Sequence, residues 1–205
     1  MNISYQGSLE PNTNTISKFL SELTRGWDNH EVMEVRCIVE LKPPKNQRFA
    51  PHDMDNAVKF ISENNKVGYN AYVTVNPVPK HSPSNAKDSD IRRAFYAFVD
   101  ADEKGAADRA RDCVRFEKSM EVVTGTKPHV RNHVYYRFNK PMTDMNAWKR
   151  LQKLLSDVLG TDKAIHNPSR IMRVAGSVSY PSKRKIELGY EPEITRLLMD
   201  NSYVE

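Results

Sequence analysis

The sequence predicts an α+β fold built from two αβ halves. Helical and strand periodicities alternate along both halves of the 205-residue chain. A proline-containing polar stretch, "PVPKHSPSNAKDSD" (77–90), separates the halves. The composition, 39% hydrophobic and 28% charged, is sufficient for one hydrophobic core. We therefore expect a single unit over residues 1–205, with submodules of about 1–90 and 91–205 and the functional site in the cleft between them.

Four segments of the first half have regular periodicity. The first is a predicted helix with Ile16, Phe19, Leu20 and Leu23 at helical spacing. The predicted order of helix, strand, helix and strand corresponds to residues 14–25, 32–41, 52–65 and 69–76. Pro77 ends the last strand, since proline restricts the residue before it and removes a backbone donor. This half therefore supplies an αβ layer of its own.

The second half begins with "AFYAFV" (94–99), an apolar run typical of a strand that is covered on both faces. Asp144 is a predicted N-cap for an amphipathic helix that ends near Leu159. The other predicted elements are a helix and three strands, at 105–120, 133–138, 171–175 and 185–190. An antiparallel sheet with helices on one face, an RRM-like module, accounts for this order.

Composition and charge exclude some classes of protein. No run of about 18 apolar residues occurs, so we expect no membrane span. The polar N-terminus indicates that there is no signal peptide, and Cys37 and Cys113 lack metal-binding or redox spacing. These features predict a cytoplasmic protein with reduced thiols. The net charge of +5 favours a nucleic acid or nucleotide partner only weakly.

Asp100 and Asp102 follow the apolar strand in "FVDADEKG". Residues two apart on a strand point to the same side, about 7 Å apart at Cα. Two such carboxylates repel each other unless a cation lies between them, and Mg²⁺ often binds one or two carboxylates together with substrate phosphates. The alternative is a solvated turn in which Asp102 or Glu103 caps the next helix.

A second polar strand follows in "TGTKPHVRNHVYYRF" (124–138). Alternation places His129, Arg131 and His133 on one face, continued by Tyr135 and Arg137. Such a face suits an anionic ligand, because arginine binds phosphate through two parallel hydrogen bonds and histidine can donate to it. The alternatives are a loop position for His129 and a buried, hydrogen-bonded role for His133. A histidine-based zinc site is not expected, because the sequence has no cysteine or other third ligand at a suitable spacing.

A basic stretch, "RIMRVAGSVSYPSKRK" (170–185), contains no acidic residue. Its cations are Arg170, Arg173, Lys183, Arg184 and Lys185. Upstream, Asp162 follows the amphipathic helix after Gly160. On its own, the basic stretch also fits a solvated surface, and Asp162 also fits a helix-end or loop residue with no role in a site.

Five motifs in one order resemble a known family. They are "YVTVNPV" (72–78), "FVDAD" (98–102), "RNHVYYR" (131–137), "DKA" (162–164) and "NPSRIMRVAGS" (167–177). Together they are similar to the archaeo-eukaryotic primase superfamily, in particular its primase-polymerase, RepB-like branch in phages, plasmids and integrated elements. The resemblance extends over about residues 33–190.

The resemblance implies a role for each matching residue. The aspartates that would bind Mg²⁺ or Mn²⁺ are Asp100, Asp102 and Asp162. His133 would contact the phosphates of the incoming nucleotide and complete the catalytic set. The residues that would bind the triphosphate are Arg170, then Arg173 and Lys183. The family often has serine where this chain has Arg131, so we expect Arg131 to contact phosphate directly. The implied fold is an αβ module packed on an RRM-like module.

The implied activity is template-directed nucleotidyl transfer on a single-stranded DNA template and primer, with NTP or dNTP substrates. Relatives often carry a helicase or a C-terminal helical accessory domain, which we expect to lie outside this chain, and no P-loop motif occurs. A second hypothesis is a non-catalytic nucleic-acid-binding replication initiator. A rolling-circle nicking enzyme needs two histidines one residue apart, a spacing that His129 and His133 do not have. Tyr69 or Tyr72 could exclude the ribose 2′-hydroxyl or simply belong to the sheet.

Overall fold

Two antiparallel sheets organise the chain in this computed structural model, which describes residues 9–81, 85–113, 117–199 and 202–204. The helices are α1 (Thr13–Leu23), α2 (Met54–Lys66), α3 (Ala106–Arg111), α4 (Met145–Leu159) and α5 (Lys183–Glu187). The strands are β1 (Glu31–Ile38), β2 (Lys45–Phe49), β3 (Asn70–Thr74), β4 (Val78–Pro79), β5 (Ala94–Ala101), β6 (Met120–Gly125), β7 (Arg131–Met142), β8 (Ile171–Arg173), β9 (Val178–Ser179), β10 (Glu193–Ile194), β11 (Arg196–Met199) and β12 (Ser202–Val204). The polar N-terminus (1–8), part of the connector (82–84) and part of the predicted helix (114–116) lie outside the described residues.

The first sheet has the strand order β2-β1-β3-β8, and β4 also pairs with β1. All of these pairs are antiparallel. Its fourth strand, β8, comes from the second half of the chain, so Arg173 lies beside Tyr72 of β3. The first sheet is therefore completed by residues that follow the connector by about eighty positions.

The second sheet has the order β12-β11-β6-β7-β5 and is also antiparallel. An RRM-like module would place the strand after α4 beside β5, whereas β8 pairs with β3 instead. Among the described residues, no strand pairs with the other edge of β5. A side chain of α4 satisfies two backbone groups on this edge. Phe98 N–H donates to Gln152 Oε1 at 3.0 Å, and Gln152 Nε2 donates to the Phe98 carbonyl at 2.9 Å.

Two predicted elements are wrong. Of the predicted helix 105–120, the described residues form only the short α3, and β6 begins at Met120, where no strand was predicted. The pattern of β6 is obscured by Glu121, which is fully buried because Arg111, Lys118 and Asn132 contact its carboxylate. Residues 185–190 are not a strand, since α5 occupies Lys183–Glu187.

The misassigned α5 region has apolar residues at alternate positions, Ile186 and Leu188, which is the pattern of a strand. The Ser182 hydroxyl accepts the Lys185 N–H and caps a helix instead. Leu188 is 60% exposed, so the alternation does not correspond to burial.

The largest hydrophobic cluster joins both sheets. It includes Phe19 of α1, Val35 and Val73 of the first sheet, and Phe98 and Tyr135 of the second. Trp148 of α4 is fully buried in it and donates its indole N–H to the Tyr96 carbonyl. Within the described residues, no helix is long and apolar enough to cross a bilayer. This shared core fixes the distance between the sheets.

Candidate active site

A cavity of about 430 Å³ lies between the two sheets. The first sheet contributes Ile38, Asn70, Tyr72 and Arg173 to its wall. The second sheet and the residue after β5 contribute Asp100, Asp102, Thr124, Arg131 and His133. Its third side is the segment 179–191, through Ser179, Tyr180, Pro181, Ser182, Lys185, Tyr190 and Glu191. Polar side chains from distant parts of the chain therefore converge here.

Asp100 is the acidic residue of the cavity with the largest electrostatic perturbation. Its pKa is raised to about 7, mainly by burial and also by the negative charges of Asp102 and Asp162. Lys185 and Arg173 act in the opposite direction and lower it. The side chain of Asp100 is 25% exposed and that of Asp102 is 45% exposed. The repulsion expected from the sequence is therefore present at this site.

His133 lies opposite Asp100 in the β5–β7 pair. Burial lowers the pKa of His133 to about 3, and the positive charge of Arg173 contributes to this shift. The imidazole is therefore neutral near pH 7. Its Nδ1 atom is buried and has no hydrogen-bond partner in the described part of the chain. A neutral ring with an unused nitrogen can still bind a ligand that enters the cavity.

Arg131 lies on the same face of β7, two residues before His133, as the alternation predicts. Its Nε atom is 3.9 Å from Asp102 Oδ1, and its Nη2 atom is 3.7 Å from Glu193 Oε1. Farther along this face, Tyr135 is fully buried and Arg137 donates to the Tyr96 hydroxyl at 2.6 Å. Only the first part of the polar face therefore lines the cavity.

Arg173 reaches the cavity from the first sheet. It donates to Asn70 Oδ1, and its Nη2 donates to the Tyr72 hydroxyl at 2.9 Å. The Arg173 guanidinium also lies 4.9 Å from the centre of the Tyr72 ring. Tyr72 is thus both a sheet residue and part of the cavity wall, whereas Tyr69 is buried beneath Lys45.

Lys185 is a cavity residue that the sequence analysis named only as one cation of the basic stretch, without a role in the site. Its Nζ atom lies 3.2 Å from Asp102 Oδ2. Lys183, which the resemblance favoured, is exposed and does not line the cavity. Tyr190 and Glu193 were also missed. They depend on how segment 179–193 folds, and no local motif in the sequence marks them.

Neither Asp162 nor Arg170 lines the cavity, although Asp162 contacts Asp100 of its wall. The Asp162 N–H donates to the Asp100 carbonyl at 3.1 Å, while the Asp162 carboxylate accepts the Ala164 N–H at 2.8 Å. Arg170 donates to the Ala164 carbonyl at 2.6 Å. His129 contacts the Asp102 carbonyl at 2.8 Å. As arranged, no three His, Cys, Asp or Glu side chains of the described residues form a metal-binding group.

Three solved structures share this fold. The primase-polymerase AEP domain of cyanophage S-2L has a TM-score of 0.65 and 22% identity, over 96% of this chain and 95% of that one. The primase RepB′ has a TM-score of 0.57 and 10% identity, over 91% of this chain and 57% of that one.

The catalytic domain of primase RepB′ in complex with initiator DNA has a TM-score of 0.54 and 14% identity, over 92% of this chain and 85% of that one. No family model and no curated protein matches the sequence. The resemblance to archaeo-eukaryotic primases is therefore confirmed at the level of the fold.

Proposed function

We propose that this chain is a DNA primase-polymerase that catalyses template-directed, divalent-metal-dependent nucleotidyl transfer in the replication of a phage, plasmid or mobile element. One observation supports this above the others. Two aspartates, a neutral histidine and two arginines converge on one cavity between the sheets of a primase fold.

The residues present fit a divalent cation. The pKa of Asp100 is raised in part by the charge of Asp102, a conflict that a bound cation removes. Mg²⁺ requires only one or two protein carboxylates when a triphosphate supplies further oxygens. We assign Asp100 and Asp102 as cation ligands, with Asp162 as the third carboxylate. Lys185 would have to release Asp102 on cation binding. Bound Mg²⁺ or Mn²⁺ would supply Lewis-acid stabilisation of charge on the transferred phosphate.

The other side chains would act on the triphosphate. Neutral His133 can donate one N–H to a phosphate oxygen without carrying a charge of its own. Arg131 and Arg173 can offer paired donors, and Lys185 a compact charge, to the oxygens where negative charge accumulates. Because the side chains of Arg131, Arg173 and Lys185 approach from different sides of the cavity, they would fix the orientation of the triphosphate toward a primer 3′-hydroxyl.

The DNA partner would be a single-stranded template with its primer. The catalytic domain of RepB′ has been solved in complex with initiator DNA, which supports a DNA-binding role for this fold. The net charge of +5 is compatible with phosphate-backbone contacts, so we expect the affinity to fall with salt.

The decisive experiment is synthesis on single-stranded templates with labelled NTPs or dNTPs, with and without a primer, in Mg²⁺ or Mn²⁺. We expect Asp100→Asn and Asp102→Asn each to reduce the rate by about a thousandfold or more. The control is Asp157→Asn, an exposed aspartate of α4 whose salt bridge within the described part of the chain is with Lys163. Undiminished synthesis by either cavity variant would contradict the proposal.

A non-catalytic replication initiator is the second candidate. It is favoured by the Lys185–Asp102 ion pair, because a lysine already neutralises one of the two carboxylates. It predicts DNA binding that depends on salt and is unchanged by Asp100→Asn. Absence of synthesis by the wild-type chain together with such binding would favour it.

A further inference from the structure

Arg131 is a buried cation whose side chain makes no hydrogen bond within the described residues. Its side chain is only 5% exposed. The nearest carboxylate oxygens, on Asp102 and Glu193, are 3.9 and 3.7 Å away, beyond hydrogen-bonding distance. Its Nε atom is buried without a partner in the described residues. A buried guanidinium is costly unless its donors are satisfied, so this site is suited to an anion that enters the cavity.

Gly125 makes the position of this guanidinium possible. Gly125 is the cross-strand partner of Arg131 in the β6–β7 pair. A Cβ atom on Gly125 would lie 1.8 Å from Arg131 Nη2 and 2.9 Å from its Cζ. Gly125 does not have a positive φ, so the requirement is for space rather than for an unusual backbone conformation. The Arg131 guanidinium occupies the space that the Cβ atom of any other residue at position 125 would need.

Glu193 holds the turn beside the guanidinium. The Thr126 N–H donates to both carboxylate oxygens of Glu193, at 2.7 and 2.9 Å. The Thr126 hydroxyl donates to Oε2 at 2.6 Å, and the Lys127 N–H donates to Oε1 at 3.1 Å. These bonds keep the pKa of Glu193 below its usual value, with a contribution from Arg131. Glu193 is therefore a fixed negative charge that draws Arg131 toward the β6–β7 turn.

Tyr190 lies against the guanidinium. The Arg131 Cζ atom is 4.2 Å from the centre of the Tyr190 ring, close enough for a cation–π interaction. Lys185 Nζ lies 5.1 Å from the same ring centre. The tyrosine restricts the Arg131 side chain without using any of its N–H donors.

We propose that Gly125, Glu193 and Tyr190 are positioning residues that hold Arg131 ready to bind the triphosphate of the incoming nucleotide. This inference rests on the proposed function, because it assumes that the cavity binds a nucleoside triphosphate. The three residues fix the guanidinium through space, charge and stacking, and they leave its donors for the ligand. The entropy of ordering the arginine is then lost on folding rather than on binding.

A double-mutant cycle tests this arrangement. The affinity for dATP is measured by calorimetry in EDTA, so that neither a metal nor activity is needed. We expect Arg131→Ala to weaken binding by about 10- to 100-fold, which is typical of hydrogen bonds to charged groups. Gly125→Ala should weaken binding to a similar degree, and the double variant should bind no worse than Arg131→Ala alone. A loss from Gly125→Ala that persists in the Arg131→Ala background would overturn the proposal, as would unchanged binding by Arg131→Ala.

Two further pairs of variants keep the test independent of one substitution. Tyr190→Leu should weaken dATP binding several-fold, and Tyr190→Phe should retain the wild-type affinity, because only the ring is required. Glu193→Gln should weaken binding, whereas Glu187→Gln, the same charge change at an exposed position of α5, should not. Equal effects within either pair would contradict the assignment.

The kinetic readout separates this proposal from the proposed function. In primer extension, Tyr190→Leu should raise the KM for the nucleotide and leave kcat within about threefold, as expected when mainly ground-state binding is lost. If the wild-type chain binds dATP through Arg131 yet synthesises nothing, the proposed function fails and the positioning role stands. If the wild-type chain does not bind dATP at all, the positioning role fails.

Discussion

The Nε2 atom of His133 lies 3.7 Å from Oδ1 of Asp100, across directly opposed positions of β7 and β5. This is not an ion pair near neutral pH. The pKa of His133 is lowered to about 3 and that of Asp100 is raised to about 7, so burial favours the neutral form of each. The arrangement keeps a neutral donor beside a carboxylate whose ionisation depends on the charge nearby.

Asp100→Asn should stabilise the chain at high pH when no metal is present. The unfolded aspartate titrates near 3.8 and the folded one near 7, so between these values only the folded state holds the proton. The free energy of unfolding from this group therefore falls as pH rises from about 4 to about 7. The variant, which has no such group, should gain up to about 4 kcal/mol over the wild type at pH 8 and little at pH 4.

Urea denaturation in EDTA at both pH values measures this difference. His133 titrates in the opposite sense, because its lowered pKa costs stability as pH falls below about 6.5, and the comparison of the two chains cancels that effect. Asp157→Asn, at an exposed position, serves as the control. A stability difference that does not change between pH 4 and pH 8 would show that Asp100 is not perturbed.

Lys185 and Lys183 should differ in their effect on nucleotide binding. Lys185 lines the cavity and lies 3.2 Å from Asp102, whereas Lys183 is exposed outside it. We expect Lys185→Ala to raise the KM for the nucleotide by about tenfold, because one charged contact to phosphate is lost. Lys183→Ala removes the same charge from the same helix and should change the KM by less than about twofold. Steady-state primer extension distinguishes them, and a larger effect at Lys183 would restore the assignment made from the motif.

Strand periodicity alone was sufficient to predict the cavity residues that lie on strands or directly after them. A period of two placed Asp100 and Asp102 on one side and Arg131 and His133 on another common face, and the structure has all four in the cavity wall. Strand alternation is a local property, so the sequence carries it directly. The pairing that brings the two strands together, with Asp100 opposite His133, required the fold.

The remaining cavity residues depend on contacts that are distant in sequence. Tyr190 and Lys185 reach the site because segment 179–191 folds over it, and Arg173 because β8 joins the first sheet. Lys183 and Lys185 are indistinguishable by residue type, and the orientation of a one-turn helix decides between them. β6 was missed for a related reason, since two of the three partners of the buried Glu121 carboxylate, Arg111 and Asn132, lie ten or more residues away in sequence.

Asp162→Asn should separate a structural role from a role in the cation site. The asparagine Oδ1 can still accept the Ala164 N–H, so the turn should persist and the free energy of unfolding should change by less than about 0.5 kcal/mol. Loss of the charge beside Asp100 should nonetheless reduce primer extension by about a hundredfold.

A metal titration tests whether the loss of activity in Asp162→Asn comes from weaker cation binding. Because a lost ligand weakens the affinity for the cation, raising Mg²⁺ or Mn²⁺ should recover part of the activity of Asp162→Asn. Wild-type activity of the variant at limiting metal would show that Asp162 belongs only to the turn.

Gln152→Leu should destabilise the fold that carries Asp100. Gln152 is fully buried and hydrogen-bonds both the N–H and the carbonyl of Phe98, on the edge of β5 where no other described strand pairs. Leucine has a similar size but leaves both groups buried and unsatisfied, at about 1–3 kcal/mol each, so we expect a loss of about 3 kcal/mol. Urea denaturation measures it, with exposed Lys153→Ala as the control on the same helix. A loss below about 0.5 kcal/mol would mean that water or a shifted strand satisfies this edge, and the position of Asp100 would then not depend on α4.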